Sequence, residues 1–278
     1  MQQREVGAFL RARRARIQPA QVGLATYGRR RVPGLRREEL ARLAGVSTDY
    51  YVRLEQGRSP HASDAVLDSI ARVLRLDDTE RAHLRNLITS AEARRGGPSP
   101  QASVRPGLRR MLELMPDVPA FVSGRYTDYL AWTALGDAVL GITDRAPRER
   151  NGARQVFLDP SSRELFPDWA DVAEETVGYL RLAAGRNPDD PRLSSLVGEL
   201  SVKSADFRRV WARQTVRDKT TGKKRVRHPV VGELEFDYEA LATPGDGGQL
   251  LVAYTFAPDS PTDERLRLLS SWSATTAP

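Results

Sequence analysis

Apolar residues recur at helical spacing through the N-terminal third of the chain. Each of five stretches carries them at i, i+3, i+4 intervals, which puts them on one side of a helix. The stretches cover residues 4–16, 38–44, 47–56, 64–74 and 77–93. Because the apolar side of each helix must be buried against another helix, the pattern predicts a five-helix domain with one small core.

Residues 38–57, with the sequence EELARLAGVSTDYYVRLEQG, predict two short helices joined by a tight turn. Gly45 provides the backbone freedom that the turn needs, Ser47 is a good N-cap for the second helix, and Gly57 fits the position after its end. This is the layout of a helix-turn-helix, in which the second helix enters the DNA major groove. An ordinary helical hairpin is the alternative, but the A-G-V turn, the polar outer side and the L-E-Q-G ending favour DNA binding.

The second helix of this pair has an inner side, with Tyr51 and Leu54, and a polar outer side. Arginine can donate to guanine O6 and N7, and aspartate can accept from cytosine N4. The predicted base-reading residues are Thr48, Asp49, Tyr50 and Arg53. For Tyr50 a core position stays open, because it also lies at i, i+4 spacing between Val46 and Leu54.

Residues 28–37, just before this motif, contain five arginines in ten positions. Beside a DNA-reading helix, such arginines are expected to hold phosphates, which position a protein without reading sequence. A solvated charged loop is the alternative. The predicted phosphate-binding residues are Arg29, Arg30, Arg31, Arg36, Arg37, Ser47 and Arg58.

Beyond residue 93 the pattern changes twice. Residues 94–103 are rich in Gly, Pro and Ser, which predicts a linker between domains at 1–93 and 104–278. In the second domain, helical spacing gives way in places to the period-2 spacing of strands, which predicts an α+β domain with an antiparallel sheet. Strands are predicted within 119–132, at 234–238 and at 250–256, and helices at 134–140, 148–159, 168–185 (ended by Gly185), 191–201, 205–213 and 262–271.

Charge is divided unevenly along the chain. The 278 residues carry a formal net charge of +7, of which residues 1–110 contribute 22 arginines against 11 acidic residues. The remainder has 21 basic and 25 acidic residues. A strongly basic first part on an acidic remainder is expected of a nucleic-acid-binding domain joined to a domain with another task.

Residues that usually carry catalysis or metal binding are scarce. With no Cys and three His, the chain offers little for disulfides or transition metals. Motifs for phosphate binding, a nucleophile elbow or a zinc protease are missing from the sequence, so we expect neither an enzyme nor a cofactor. The charged N-terminus and the lack of long apolar runs predict a cytoplasmic protein without membrane insertion. His61 and His83 are expected on the surface or in packing, whereas for His228 both a ligand contact and a structural hydrogen bond stay open.

Residues 34–58, GLRREELARLAGVSTDYYVRLEQGR, resemble the Xre/Cro-type helix-turn-helix regulators, and in particular the MmyB-like transcription regulators of actinobacteria. Five later blocks, in the same order, resemble the ligand-binding domain of that family. They are PDVPAFV (116–122), DYLAW (128–132), LDPSSRELFPDW (158–169), DPRLSSLVGELS (190–201) and HPVVGEL (228–234). The resemblance therefore extends over nearly the whole chain.

This resemblance implies a lambda-repressor-like five-helix domain followed by a PAS-like α+β ligand-binding domain, with a fatty-acid-like ligand. The candidate ligand-binding residues are Trp132, Phe157, Trp169, Trp211, His228 and Tyr238. Two departures bear on the ligand. Thr133 stands where the family usually has Asn, and Gln214 and Thr215 stand where it usually has His-Asp. If those positions hold a ligand head group, this chain binds a different ligand or none.

The expected function is that of a sequence-specific transcription regulator, associated with the nucleoid and acting as a homodimer on a palindromic operator in double-stranded DNA. Its second domain is expected to sense a small apolar molecule. The alternative makes that domain a ligand-free dimerisation or protein-interaction module. An enzyme with a DNA-targeting domain is disfavoured because a catalytic constellation is missing from the sequence.

Overall fold

The structure, a computed structural model, describes residues 2–24, 34–58, 62–89, 103–187, 189–218, 220–243 and 248–276. The chain forms two compact units. The helical unit consists of Met1–Gly97, Arg181–Pro191 and Arg209–Asp218. The sheet unit consists of Pro98–Leu180, Arg192–Arg208 and Lys219–Pro278. Each unit is thus built from segments that are separated in sequence.

The N-terminal part of the helical unit confirms the predicted helical region. Its helices are α1 (Gln2–Arg16), α2 (Arg37–Ala44), α3 (Thr48–Glu55), α4 (Asp64–Val73) and α5 (Asp78–Thr89), with a 3-10 turn at Pro19–Val22. Ser47 and Ser63 cap α3 and α4, because each hydroxyl accepts from the backbone N–H three residues further on, at 3.1 and 3.4 Å. The apolar side of each helix faces one core.

The core of the helical unit draws on residues from the later part of the chain. Phe9, Leu10 and Tyr51 are fully buried in it. Leu182, from the end of a later helix, and Val216 belong to the same cluster and are also buried. The helical unit therefore has a single core made from all three of its segments.

Two arginines of α1 are largely withdrawn from solvent. Arg13 is only 6% exposed, and its Nη1 lies 2.7 Å from the Glu80 carboxylate of α5. Burial lowers the pKa of the Arg13 guanidinium, and the nearby Glu80 charge opposes that effect. Arg14 pairs with Glu55 of α3. The charges of α1 thus take part in packing the unit.

The sheet unit is built on an antiparallel sheet, as predicted. Within the described residues the strands are β1 (Ala120–Ser123), β2 (Tyr129–Trp132), β3 (Thr221–His228), β4 (Gly232–Ala242) and β5 (Leu250–Thr255). They lie in the order β2-β1-β5-β4-β3, and every neighbouring pair is antiparallel. Together with the helices this confirms an α+β arrangement.

Helices cover both sides of this sheet. Those that lie in the sheet unit, wholly or in part, are α6 (Pro106–Glu113), α7 (Ala134–Leu140), α8 (Gly152–Leu158), α9 (Ser162–Leu165), α10 (Trp169–Arg186), α11 (Pro191–Lys203), α12 (Ala205–Ala212) and α13 (Pro261–Thr276). On one side of the sheet, Leu108 and Leu112 of α6 pack with Ala120 and Val122. The alternate residues, such as Phe121, belong to a second core shared with the other helices.

Some elements differ from the sequence-based expectation. The helix expected from residue 148 begins at Gly152, because Asn151 caps it after a 3-10 turn at Pro147–Glu149. Gly185 does not end α10, which continues to Arg186. Its missing side chain serves packing instead, since a Cβ there would lie 2.3 Å from Nδ1 of His83. The turn expected at 244–248 lies mostly outside the described residues.

Candidate DNA-binding surface and ligand-binding unit

Helix α3 has one buried side and one side open to solvent. Tyr51 and Leu54 are buried in the core of the helical unit. Thr48, Asp49 and Arg53 are exposed on the opposite side. Tyr50 is half-buried and packs against the core. The structure therefore places it partly in the core position that the sequence left open, with the rest of the residue open to solvent.

The turn before α3 has the geometry of a helix-turn-helix. Gly45 follows α2 with a φ of 71°, in the left-handed region, and Val46 N–H donates to the Ala41 carbonyl at 3.0 Å. Gly57 has a φ of 72° after α3. Arg58 N–H donates to the carbonyl of Arg53 at 2.8 Å. The C-terminal ends of α2 and α3 are thus both closed by backbone hydrogen bonds. The first of these ends sets the direction in which α3 leaves the turn.

A buried carboxylate anchors α3 to the two preceding helices. The Glu55 side chain is fully inaccessible, and it accepts from Nε of Arg14 at 3.1 Å and from Nη2 of Arg37 at 2.7 Å. Burial raises the pKa of the Glu55 carboxyl, but the hydrogen bonds from Arg37 and Arg14 outweigh that effect, so its pKa lies below the usual value. In the sequence, this role could have been noticed from the spacing: Glu55 lies four residues after Tyr51, so it faces the same buried side of α3.

The predicted phosphate-binding residues differ in their surroundings. Arg36 and Arg58 are exposed, at either end of the helix-turn-helix. Arg37 is half-exposed and is held by Glu55. The Ser47 hydroxyl caps α3. The expected residues Arg29, Arg30 and Arg31 lie outside the described residues, as does His61.

In the sheet unit, three aromatic rings form a cluster near the start of α10. The Phe157 ring makes edge contacts with Trp169 and Phe207, with centroids 5.8 and 5.2 Å away. Trp169 Nε1 donates to the Val156 carbonyl at 2.9 Å, and the Arg163 guanidinium lies 3.8 Å from the centre of its ring. Two of the candidate ligand-binding residues, Phe157 and Trp169, are therefore together.

Phe157 also lines a cleft of about 530 Å³. Leu158 and Pro160 contribute further apolar surface to it. At the same cleft, Glu199 pairs with Arg154 and Lys203, each at 2.8 Å. The cleft thus brings a few apolar side chains together with three basic and three acidic ones.

Trp132 lies apart from this cleft. It lines a separate cleft of about 520 Å³ with Leu112, Leu130 and Thr133. A third cleft, of about 700 Å³, is lined by charged side chains of β3 and β4 together with Phe236 and Phe256. In it Arg225 pairs with Asp168, with Nε and Oδ2 2.6 Å apart. The candidate ligand-binding residues are therefore not gathered around one site.

The remaining candidates occupy structural positions. His228 is buried, and its Nδ1 accepts from the backbone N–H groups of Val230 and Val231 at 3.2 and 3.4 Å. Its Nε2 therefore carries the proton and donates to the Ala138 carbonyl at 3.0 Å. Burial lowers the pKa of His228. Tyr238 is buried in the sheet core beside Tyr254.

Trp211 belongs to the helical unit rather than to the sheet core. The Arg181 guanidinium stacks on its ring at 4.0 Å and donates from Nη2 to its carbonyl. Nη1 of Arg181 donates to Oε1 of Gln214 at 2.6 Å. Burial lowers the pKa of Arg181 to about 10.

The positions that depart from the family pattern are engaged in local hydrogen bonds. Thr133 is buried at the start of α7, where its hydroxyl accepts from Gly136 N–H at 3.0 Å and donates to the Val118 carbonyl at 2.8 Å. The carbonyl of Gln214 accepts from Arg13 at 3.0 Å, and the hydroxyl of Thr215 from Arg16 at 3.2 Å. Each of these residues thus has a structural partner within its own unit.

Comparison with known families identifies both parts of the chain. Residues 5–84 match a helix-turn-helix domain, and residues 104–269 match the ligand-binding domain of MmyB-like transcription regulators. A helix-turn-helix joined to such a domain defines a DNA-binding transcription regulator with a ligand-binding domain. The chain belongs to the MmyB-like family, since that match alone covers more than half of its residues. A search of curated proteins found no match.

Within the described ranges, no helix is both long and apolar enough to cross a membrane. In the same part of the chain, no group of three or more His, Asp or Glu side chains is arranged to hold a metal ion.

Proposed function

We propose that this regulator binds a palindromic operator as a homodimer on the nucleoid, with α3 of each protomer in the major groove of one half-site. The observation that carries the proposal is the outer side of α3, where Thr48, Asp49 and Arg53 are exposed on a helix whose inner side is anchored by Glu55. Polar side chains on a rigid helix are what base reading requires.

Arginines beside α3 hold the DNA backbone in this proposal. Arg36 and Arg58 are exposed and flank the helix-turn-helix, and Arg29, Arg30 and Arg31 add positive charge in the sequence between α1 and α2. Affinity for an operator, measured by fluorescence anisotropy, is expected to fall linearly on a double-logarithmic plot against salt, with a slope of roughly −0.9 per phosphate neutralised. Arg58→Gln should reduce that slope by about one. A flat response to salt would exclude the phosphate role.

The ligand we infer is a small apolar molecule with an acidic end, such as a fatty acid, held in the cleft of Phe157. The cleft volume of about 530 Å³ is within the range of small-molecule sites, roughly 300–1,000 Å³. Phe157 and Leu158 offer a surface to an acyl chain, and Arg154 and Lys203 offer cations to a carboxylate.

Helix α12 is the element through which we expect the ligand to affect DNA binding. Its Phe207 packs against Phe157 in the sheet unit. Its C-terminal end belongs to the helical unit, where Arg181 holds the Trp211 carbonyl and Arg13 holds that of Gln214. A ligand that displaces the Phe157 ring would shift α12 and disturb those hydrogen bonds. A coupling of about 5- to 150-fold in operator affinity is typical of such linkage.

The test uses the full chain. Molecules that co-purify with it are extracted and identified by mass spectrometry, and operator affinity is measured with straight-chain saturated fatty acids and with alcohols of matched length. We expect an acid to change operator affinity, an alcohol to act more weakly, and Lys203→Glu to abolish the response. Lys223→Gln, in the charged cleft lined by β3 and β4, serves as the control and should leave the response intact.

A second candidate function for the sheet unit is dimerisation without a ligand. It is favoured by α6 and the residue after it, where Met111 and Leu114 are 50% and 67% exposed. In that case no acyl molecule is retained, fatty acids leave operator affinity unchanged, and Met111→Glu lowers the molecular mass measured by light scattering. Dissociation by Met111→Glu together with a fatty-acid response would support both roles for the unit.

A further inference from the structure

A carboxylate lies on the side of α3 that faces outward. Asp49 is 79% exposed there, one helical turn before Arg53, which is 55% exposed. A negative charge on a surface that approaches phosphates is repelled by them, so its presence needs a compensating role. Asp49 Oδ2 lies 3.3 Å from Nε of Arg53. The two predicted base-reading residues therefore pair with each other.

The pair has the arrangement that helix geometry favours. An acidic residue four positions before a basic one is the better of the two orders on a helix. Asp49 also lies in the first turn of α3, where the helix dipole stabilises a negative charge. Among the described residues, Asp49 is the ion-pair partner of Arg53, so the contact restrains that long side chain.

The contact leaves the reading end of the guanidinium available. The contact involves Nε, which is the guanidinium nitrogen closest to the helix. It therefore holds the Arg53 side chain on the side of α3 where Asp49 lies. The terminal Nη1 and Nη2 groups carry four of the five N–H donors of an arginine. Two of these donors, held in one plane, match the O6 and N7 acceptors that guanine presents in the major groove.

We propose that Asp49 is a positioning residue that fixes Arg53 for guanine, so that each operator half-site contains a guanine specified by this pair. This inference rests on the proposed DNA binding by α3. Entry into the groove removes water from the pair and strengthens its attraction, because the surrounding dielectric constant falls. Asp49 then contributes to base selection through Arg53, and the cytosine contact expected from its residue type is not its main role.

The experiment selects sequences from a randomised double-stranded DNA library with the full chain, and repeats the selection with Arg53→Lys and Asp49→Asn. Arg53→Lys should reduce the preference for one guanine per half-site several-fold, and by no more than the roughly 150-fold upper limit for a bidentate contact, because lysine can still donate to guanine. Asp49→Asn should weaken the preference at that same position several-fold. Arg72→Lys, on the exposed surface of α4, is the control and should leave the selected sequence unchanged.

A second readout separates positioning from a merely structural effect. Asp49→Asn removes a negative charge from the DNA-facing side, so affinity for unrelated DNA should rise while discrimination for guanine falls. The proposal is overturned if Asp49→Asn changes the preferred base at a different position and leaves the guanine intact, since Asp49 would then read a base itself. It is also overturned if the effects of the two substitutions on guanine preference multiply in the double variant, because independent residues behave in that way. Failure of the wild-type chain to select any sequence would instead refute the proposed DNA binding.

Discussion

Glu55 of α3 and Arg14 of α1 form an ion pair with 3.1 Å between Oε2 and Nε, in which the carboxylate side chain is fully inaccessible and the arginine side chain is 13% exposed. Arg14 also donates from Nη1 to the carbonyl of Leu35 at 2.7 Å. A single arginine thus ties α3 and the segment before α2 to the first helix of the unit.

Removal of Arg14 is expected to be costly, because it leaves a buried carboxylate with only its outer partner. Arg14→Ala should lower the free energy of unfolding of the helical unit by about 3–5 kcal/mol, the range for breaking a buried ion pair. Arg37→Ala should cost only about 1 kcal/mol, because Arg37 is half-exposed and water can replace it. Urea unfolding followed by circular dichroism measures both, with the exposed Arg36→Ala as the control. Equal losses for Arg14→Ala and Arg37→Ala would contradict this ranking.

Two glycines in helices should respond to alanine in opposite directions. A Cβ at Gly185 would lie 2.3 Å from Nδ1 of His83, a ring that is itself buried, so Gly185→Ala should destabilise the helical unit by about 1–3 kcal/mol. A Cβ at Gly198 in α11 would meet no atom within 4 Å outside the backbone of its own helix, so Gly198→Ala should stabilise the protein by about 0.5–1 kcal/mol through helix propensity. Thermal unfolding of the two variants tests the contrast; a loss of stability in both would mean that Gly198 also has a packing role.

His83 should make the helical unit sensitive to mild acid. Burial, and then the charges of Arg181, Arg13 and Arg186, lower its pKa to about 3, whereas an unfolded histidine has a pKa of about 6.5. The unfolded chain therefore binds a proton between these values that the folded chain does not, and stability falls as the pH drops below about 6.5. Between pH 7.5 and 5.5 the expected loss from this residue is about 1.4 kcal/mol.

The measurement is the pH dependence of urea unfolding, with His83→Gln as the variant. The variant is expected to be less stable at every pH but to show a flatter slope between pH 7.5 and 5.5. Titration of the histidine rings by nuclear magnetic resonance provides a direct check, in which the His83 ring should remain neutral through this range. A His83 signal that titrates near pH 6.5 in the folded protein would rule the effect out.

Asn151 should be a more sensitive helix cap than Ser63. It is buried, its Nδ2 donates to the Tyr126 carbonyl at 2.8 Å, and its Oδ1 accepts from the N–H groups of Ala153 and Arg154. Asn151→Ala removes the cap of α8 and leaves buried groups without partners, at an expected cost of about 2–4 kcal/mol. Ser63→Ala, which removes an exposed cap, should cost only about 1 kcal/mol. Because α8 carries Phe157, Asn151→Ala should also weaken binding of a fatty acid.

Local features of the chain predicted the two ends of α3 well. Gly45, Ser47 and Gly57 each act through one or two neighbouring backbone groups, so their roles follow from residue type and spacing. The apolar stripes predicted the helices of the helical unit for the same reason. In α10, all of Val172, Ala173, Val177, Leu180 and Ala184 are buried, as their helical spacing requires.

The buried charges were not predictable in this way. Arg13, Arg14 and Arg181 look like surface residues in the sequence, and their burial depends on Glu80, Glu55 and Gln214, which lie far away along the chain. Strand β3 was missed because its exposed positions are basic. On the exposed side of β3, three basic residues lie opposite three acidic residues of β4: Lys223 opposite Asp237, Arg225 opposite Glu235, and Arg227 opposite Glu233. These cross-strand charge pairs stabilise the strand, but they leave no apolar alternation in its sequence.

The composition of the helical-unit core has a consequence for synthesis of the protein. Leu182 and Val216 are both part of that core, so a chain still emerging from the ribosome lacks them long after α1 to α5 have been made. The DNA-binding part completes its packing only when most of the ligand-binding sequence has followed it. We therefore expect a chain that ends before residue 182 to pack its helix-turn-helix less tightly than the full chain does.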